Sequence, residues 1–294
     1  MLVLYFAQLA PGYCEERLAY LDQARPSMKR ISIANEADFR GWGYLANKLH
    51  QQGVELHQLK EIYASKKLPH FNKVSFSLNP SESKNIYRGF ATKHNINAAN
   101  NFLNKYENTF RRAHEDSNVP KEVVAAILLV ESHFGRNTGS KAIIYRLSRL
   151  ANIASPENLE YNYERLNKDD PSVTFQEVAD RGHYLEETFL PEIVALVQIA
   201  KDQNINIFNV KGSRAGAFGW PQFLPSSYLN HAVDFNFDGK VSLFQPQDAI
   251  GSVSNYLRNH GWGQKTPEDV IWKYNKSKAY IDTVLLIAKK LESA

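Results

Sequence analysis

The chain has 294 residues, of which 43% are hydrophobic and 22% charged, and this globular composition excludes disorder, collagen or coiled coil throughout the chain. The 35 Lys and Arg residues against 31 Asp and Glu residues give a net charge of +4, too small to indicate a nucleic-acid-binding protein. The single cysteine, Cys14, excludes an intramolecular disulfide and a cysteine-based zinc site. Aromatic residues make up 12% of the chain, and an excess of Tyr suits grooves that stack on sugars or bases as well as cores.

The amino-terminal segment, residues 1–34, gives no clear targeting signal. Its first ten residues are apolar but lack the Lys or Arg that opens a secretory signal. The segment fits either the rear part of an export signal or an ordinary first helix or strand. No apolar run reaches the roughly 18 residues of a membrane span.

Helical periodicity dominates the rest of the chain. Apolar spacing predicts helices over about 36–65, 98–115, 120–134, 173–202, 246–259 and 278–291. Pro120 suits a first helical position, Gly135 suits the end of the same helix, and Pro191 is expected to begin a new helix. We expect a loop over 66–84, irregular structure over 152–171, and no strand longer than a few residues. The predicted fold class is therefore mainly α.

One predicted helix places a carboxylic acid on its apolar face. Glu131 follows Ile127 by four residues and Leu128 by three, so the three side chains share one face. Aliphatic surroundings disfavour the ionised carboxylate, and so does the carboxyl-terminal end of the helix dipole, so the pKa of Glu131 should be raised. A raised pKa is what a general acid needs in order to hold a proton near neutral pH.

A structural role for Glu131 is the competing interpretation. The carboxylate could instead face solvent or pair with Arg136 or His133. Residues 132–156 contain no Asp or Glu, whereas the usual glycosidases need two carboxylates. Because a partner acid could come from a distant segment, this absence favours a one-carboxylate mechanism only weakly.

A second motif has the spacing of a calcium-binding loop. Asp234, Asn236 and Asp238 place side-chain oxygens at positions one, three and five, Gly239 stands at six, and the carbonyl of Lys240 can serve at seven. Hard cations require several oxygens around one centre, and this spacing in a tight turn brings them together. The alternative is an Asp- and Asn-rich turn without a metal.

This loop departs from the standard calcium pattern at position twelve. The neutral Gln245 stands there in place of the bidentate glutamate, and Asp248 is the nearby acid that could complete the shell. The departure favours a structural site over a sensor that opens when calcium binds.

A third segment, 212–223, is rich in glycine. Its glycines permit tight turns and close approach to a ligand, but their order matches neither the Walker A motif nor the dinucleotide-binding motif. Ser213 and Gln222 supply donors and acceptors that suit the hydroxyl and acetamido groups of sugars.

Five segments together carry a family resemblance. They are VESHFG at 130–135, KGSRAGAFGWPQFLPSSY at 211–228, AVDFNFDG at 232–239, DAIGSVSNYLRNHGW at 248–262 and YNKSKAY at 274–280. In this order they resemble the lytic murein transglycosylases of the membrane-bound B type. The similarity extends from about residue 36 to the end, and 211–262 is its most specific part.

The resemblance implies a fold and a reaction. It implies a helical amino-terminal domain at 35–118 and a lysozyme-like catalytic core at 119–294, with an EF-hand-type calcium loop inserted at about 229–250. Glu131 matches the sole catalytic acid and base of the family. It would protonate the glycosidic oxygen between N-acetylmuramic acid and N-acetylglucosamine in peptidoglycan. It would then accept the proton of the muramyl 6-hydroxyl, which attacks C1 and leaves a 1,6-anhydro end.

The resemblance also assigns binding residues. The implied groove residues are Ser213, Gln222, Tyr256, Tyr274, Asn275, Tyr280 and, with one residue of altered spacing, Tyr87. The implied calcium ligands are Asp234, Asn236, Asp238, Lys240 through its carbonyl, and Asp248. For the tyrosines, a place in the hydrophobic core is the equally weighted alternative.

The sequence departs from the family in three respects: the usual arginines after the catalytic helix are missing, the segment that should carry them is longer than usual, and the expected exported or lipid-anchored amino terminus is not evident. An adjacent Arg pair normally follows the catalytic helix, but none stands in 152–170, and Arg165 or Arg181 are the candidates to replace it.

The resemblance implies a cellular setting as well. We expect peptidoglycan strands as the partner, no nucleic acid, no organic cofactor, a monomer, and a place in the bacterial periplasm or envelope with peripheral membrane association. A hydrolytic muramidase and a catalytically silent wall-binding protein remain the alternatives.

Overall fold

The computed structural model describes residues 39–80, 82 and 86–293, so the expected amino-terminal segment 1–34 lies outside the described residues. The described part is mainly helical, as the sequence predicts. Its helices are α1 (Gly43–Gln51), α2 (Leu56–Tyr63), α3 (Lys93–Lys105), α4 (Glu107–Ser117), α5 (Lys121–Ser132), α6 (Ile143–Ala151), α7 (Pro156–Asp169), α8 (Phe175–Asp202), α9 (Pro225–His231), α10 (Pro246–Asn259), α11 (Pro267–Tyr274) and α12 (Lys278–Glu292). In the part of the chain that is described, no helix is both long and apolar enough to cross a membrane.

Two predicted helices are each divided into a pair of shorter ones. The first breaks around Gly53, whose φ of +90° is a left-handed conformation that glycine adopts easily. The second breaks at Tyr106, which lies between α3 and α4 with a φ of −115°. By contrast, α8 continues through Pro191, whose side chain is exposed, so the expected new start at that residue is wrong.

The expectation of irregular structure over 152–171 is also wrong, because most of that segment forms α7. Most charged residues of α7 face solvent, but its buried face is itself partly polar. Asn158 and Asn162 are fully buried, and both side chains donate to the carbonyl of Val74. The Asn158 side chain also accepts a hydrogen bond from the Val74 amide. Buried amides that bind backbone leave no apolar periodicity for sequence reasoning to detect.

A short two-stranded sheet joins the segment after α5 to the glycine-rich segment. Strand β1 (Lys141–Ala142) pairs antiparallel with β2 (Lys211–Gly212). Gly139 lies so close to the Gly212 carbonyl that an added Cβ would come within 2.0 Å of its oxygen. The sheet thereby brings the glycine-rich segment close to the end of α5.

Helix α5 is the centre of the molecule. Every residue from Val123 to Ser132 is buried, and helices α3, α4, α10 and α12 pack against it. An apolar run on all sides of a helix is typical of a helix surrounded by protein. Glu131 therefore lies where the central helix ends.

Candidate active site

The chain leaves α5 through a left-handed turn, a conformation that favours glycine. His133, Phe134 and Gly135 all have positive φ angles, of 50°, 56° and 80°. A Cβ at Gly135 would lie 2.1 Å from the Trp220 ring, so only glycine fits against this indole. The left-handed turn ends the helix just beyond Glu131, close to the glycine-rich segment.

Glu131 is a buried carboxyl with a single hydrogen-bond donor among the described side chains. It is 7% exposed, and its Oε1 accepts a hydrogen bond of 2.8 Å from the Tyr280 hydroxyl. Burial raises the pKa of Glu131 to about 8, although the Tyr280 hydrogen bond lowers it in part. Within the described residues no ion pair involves Glu131, so neither Arg136 nor His133 is its partner.

Three predicted groove tyrosines meet in one aromatic cluster beside Glu131, where Tyr256 and Tyr280 lie in the hydrophobic core and Tyr274 is half-buried against it. The rings of Tyr274 and Tyr280 are stacked with centroids 6.4 Å apart, and Tyr256 lies edge-on to Tyr274 at 4.9 Å. The Tyr274 hydroxyl donates to the carbonyl of Pro221 over 2.7 Å. Burial raises the pKa values of Tyr274 and Tyr280, and the nearby Glu131 raises them further. Both phenols are therefore protonated donors throughout the neutral range.

The fourth predicted tyrosine completes the cluster on the other side of Tyr280. Tyr87 lies edge-on to the Tyr280 ring at 5.7 Å and is buried. Tyr87 therefore joins the cluster around Glu131 although its spacing in the sequence differs from the family pattern by one residue. The cluster joins residues from the loop before α3, from α10 and α11, and from the first turn of α12.

The predicted residues Ser213 and Gln222 both bind the backbone of the glycine-rich turn. The Ser213 hydroxyl accepts from the Ala217 amide at 3.2 Å. Gln222, with a φ of 52°, donates to the carbonyls of Thr138 and Gly219. Both side chains are half-exposed, so each shapes the turn and retains contact with solvent.

Sequence reasoning missed two polar residues of this region. Ser277 is the N-cap of α12, and its Oγ accepts from the Tyr280 amide at 3.1 Å. The same hydroxyl donates to Glu82 over 2.6 Å. The position of Ser277 three residues before Tyr280 is a detectable cap signal. No pattern in the sequence singles out Glu82. Asn275, also buried, accepts from the Ser277 amide through its carbonyl.

The predicted cation loop is a closed turn with oxygens along its inner side. Both carboxylate oxygens of Asp234 accept backbone amides, from Asp238 and Gly239, and Asp238 accepts from Lys240. Phe237 and Gly239 have positive φ angles, which produce the tight curvature.

Asp248 lies beneath this loop and holds its two ends. It is fully buried, and its carboxylate accepts backbone amides from Phe235, Asn236 and Ser242. Burial raises the pKa of Asp248, although the three backbone donors lower it in part. Over the described residues, no group of three or more His, Cys, Asp or Glu side chains is arranged to hold a metal ion. The side-chain acceptors on the inner side of this loop are oxygens, which is the donor chemistry that hard cations require.

The two arginines considered as replacements for the Arg pair lie in different surroundings. Arg165 donates to the carbonyl of Phe76 and to the side chain of Asn162, so it holds the chain against α7. Arg181 lies 5.1 Å from the Tyr184 ring, and its Nε is buried without a hydrogen-bond partner. Neither arginine contacts Glu131 through a hydrogen bond or an ion pair found among the described residues.

Comparison with known proteins identifies related sequences. The family profile described as the transglycosylase SLT domain matches residues 39–269. The membrane-bound lytic murein transglycosylase B of Escherichia coli (strain K12) is 32% identical over 231 residues, which cover 74% of this chain and 56% of that protein. The chain thus spans little more than half the length of this curated relative.

Solved structures share the fold at lower identity. The Escherichia coli lytic transglycosylase SLT35, in complex with calcium, matches with a TM-score of 0.64 and 23% identity over 92% of this chain and 98% of that chain. SltB3 from Pseudomonas aeruginosa, in complex with NAG-anhNAM-pentapeptide, matches with a TM-score of 0.64 and 17% identity over 88% and 80% of the two chains. The predicted lysozyme-like, mainly α fold is confirmed by these matches.

Proposed function

The chain belongs to the transglycosylase SLT domain family, as the lytic murein transglycosylase B match also indicates, and we propose that it cleaves peptidoglycan as a lytic transglycosylase. The bond broken is the glycosidic bond from N-acetylmuramic acid to N-acetylglucosamine, and the product carries a 1,6-anhydro end. The observation that carries the proposal is the buried Glu131, whose pKa is raised to about 8.

Glu131 acts first as an acid and then as a base. Its proton passes to the glycosidic oxygen as the bond from that oxygen to C1 of the muramyl residue breaks. The resulting carboxylate takes the proton of the muramyl 6-hydroxyl, whose oxygen forms the new bond to C1. The N-acetyl group of the same sugar assists at C1. Intramolecular attack has a large proximity advantage over attack by water.

The tyrosine cluster and the glycine-rich turn form the proposed groove. Tyr274, the half-buried member of the cluster, offers an aromatic face to a sugar ring, and the half-exposed Ser213 and Gln222 offer hydrogen bonds to hydroxyl and acetamido groups. The proposed substrate contacts are Ser213, Gln222, Tyr256, Tyr274, Asn275, Tyr280 and Tyr87. The relative SltB3 was solved in complex with NAG-anhNAM-pentapeptide, which supports a muropeptide ligand of the same kind.

The proposed setting follows from the substrate. Peptidoglycan strands are the partner, so the protein acts in the bacterial periplasm or envelope, as a monomer with peripheral membrane association and without an organic cofactor. The name of the Escherichia coli relative, a membrane-bound enzyme, supports the envelope. We also propose the division into a helical domain at 35–118 and a catalytic domain at 119–294.

We propose in addition a structural calcium ion in an EF-hand-type loop. Its ligands are the side chains of Asp234, Asn236 and Asp238, the carbonyl of Lys240, and Asp248. Support comes from the curvature of the loop, from its oxygen-only donors, and from SLT35, which was solved with calcium. The ion would neutralise the acidic side chains that converge on the turn.

Mass spectrometry of digested peptidoglycan tests the reaction. The expected products carry the anhydro end, and Glu131→Gln should abolish clearing of purified walls while folding and wall binding persist. Products that carry an added water would indicate the alternative, a hydrolytic muramidase. Clearing that is unchanged in the variant would refute the role of Glu131, and binding without any cleavage would indicate a silent wall-binding protein.

A melting curve tests the calcium site. Calcium should raise the melting temperature because it binds the native state more tightly than the unfolded chain. The Asp234→Asn and Asp238→Asn double variant should lose this shift, whereas Asp180→Asn, near the amino-terminal end of α8 and hydrogen-bonded to Gln176, should retain it. Identical curves with chelator and with excess calcium would count against the site.

A further inference from the structure

A second carboxylate is connected to the candidate site by tertiary contacts. Glu82 accepts a hydrogen bond of 2.6 Å from the Ser277 hydroxyl, and the Ser277 Oγ accepts one of 3.1 Å from the Tyr280 amide. The Tyr280 hydroxyl in turn donates to Glu131 at 2.8 Å. The two carboxyl groups are thus linked through the N-cap and first turn of α12.

The contact from Glu82 to Ser277 has a clear physical role. Ser277 is only 5% exposed, so its hydroxyl proton needs an acceptor within the protein. A carboxylate supplies a short, charge-assisted hydrogen bond, and negative charge is favoured beside the amino-terminal end of a helix. Glu82 therefore orients the hydroxyl so that its oxygen lone pair faces the α12 amides.

The same carboxylate also faces the tyrosine cluster. Tyr87 packs edge-on against Tyr280 at 5.7 Å. Burial raises the pKa of the Tyr87 phenol, and the charges of Glu82 and Glu131 raise it further. The Tyr87 phenol is therefore near both carboxyl groups.

We propose that Glu82 is a positioning residue for the reaction of Glu131: through Ser277 it fixes the first turn of α12 and thereby the Tyr280 hydroxyl that contacts Glu131. This inference rests on the proposed function. Glu82 transfers no proton to or from the substrate. It holds the donor that aligns the reacting carboxyl.

A measurable consequence follows for the ionisation of Glu131. The Tyr280 hydrogen bond lowers the pKa of Glu131 against the larger effect of burial. If the anchor at Glu82 is removed, this hydrogen bond weakens and the pKa of Glu131 rises. The limb of the pH–rate profile that reports loss of the Glu131 proton should move to higher pH, and the rate should fall because the carboxyl is less well aligned.

The test compares Glu82→Ala, Tyr280→Phe and the double variant. Glu82→Ala should lower kcat about tenfold and move the basic limb of the profile upward, in the same direction as Tyr280→Phe. The double variant should resemble Tyr280→Phe alone, because both changes remove one interaction. A carbon-13 NMR titration of Glu131 measures the same shift without any turnover. Glu82→Gln keeps an acceptor for Ser277 and should recover part of the rate.

Glu55→Ala is the matched control. Glu55 caps the amino terminus of α2 and makes no contact with the tyrosine cluster among the described residues, so its loss should leave kcat and the basic limb unchanged. An unmoved limb in Glu82→Ala, or effects that add to those of Tyr280→Phe, would overturn the proposal. Water-terminated products that disappear in Glu82→Ala would also overturn it, since Glu82 would then be a base for water. A wild type without cleavage would refute the proposed function, while the NMR titration would still test Glu82.

Discussion

At the residue scale, the central feature is a carboxyl group whose pKa the fold raises. Glu131 combines burial with one phenolic donor, and burial has the larger effect on its pKa. The apolar face of the helix predicts this direction from sequence. Tyr280 could not be assigned as the donor from spacing, because 149 residues separate the two side chains.

We expect Glu131 to reduce stability at alkaline pH. Its folded-state pKa is raised from 4.5 to about 8, so stability is fully present below pH 4.5 and is lost as the pH rises through about 8. Glu131→Gln cannot ionise and can still accept the Tyr280 hydrogen bond. The variant should have the same free energy of unfolding as the wild type at pH 4 and a larger one at pH 9. Urea denaturation across this range measures both free energies. A difference between the two proteins that does not change with pH would contradict the expectation.

At the scale of elements, helices with clear local signals were predictable: the helix predicted at 246–259 coincides with α10, and α5 differs only at its ends. The predicted helix at 120–134 corresponds to Lys121–Ser132, since an apolar run and a terminal glycine are local signals. Helix α7 escaped prediction because its buried face carries Asn158 and Asn162, whose partners lie on a distant segment. The docking of the cation loop likewise depends on an arginine from another element.

That arginine is Arg112 of α4, which packs against two aromatic rings of the loop. Its guanidinium lies 4.2 Å from the Phe235 ring and 4.7 Å from the Phe237 ring, and it donates to the Phe235 carbonyl. Arg112→Met should therefore lower the free energy of unfolding by about 1 to 2 kcal/mol. Arg111→Met is the control, because Arg111 forms only an exposed pair with Glu115. If the two substitutions lowered the free energy of unfolding equally, the stabilising role of Arg112 would be refuted.

At the scale of the whole molecule, one hydrophobic core extends across the proposed domain boundary. It includes residues from Phe39 to Leu291 and is continuous through α5. Polar contacts also join α1 to α8. The buried Glu186 of α8 accepts a hydrogen bond from the Tyr44 hydroxyl and forms an ion pair of 2.7 Å with Lys48.

We therefore expect the regions 39–118 and 119–293 to unfold together. Scanning calorimetry should give one transition whose calorimetric and van't Hoff enthalpies agree. Glu186→Gln should shift that single transition downward, because the Lys48 charge would lose its partner. Two separate transitions in the wild type would contradict this expectation and would favour independent domains.

The sequence by itself determined what local patterns encode: a mainly α fold, the central helix, the carboxyl on its apolar face and the oxygen-rich loop. It also carried the resemblance that the family match bears out. Tertiary structure alone decided which distant residues meet: Tyr280 with Glu131, Glu82 with Ser277, and Arg112 with the loop. The reason is that periodicity and caps act over a few residues, whereas these contacts arise only when the packing of helices around α5 brings separate segments together.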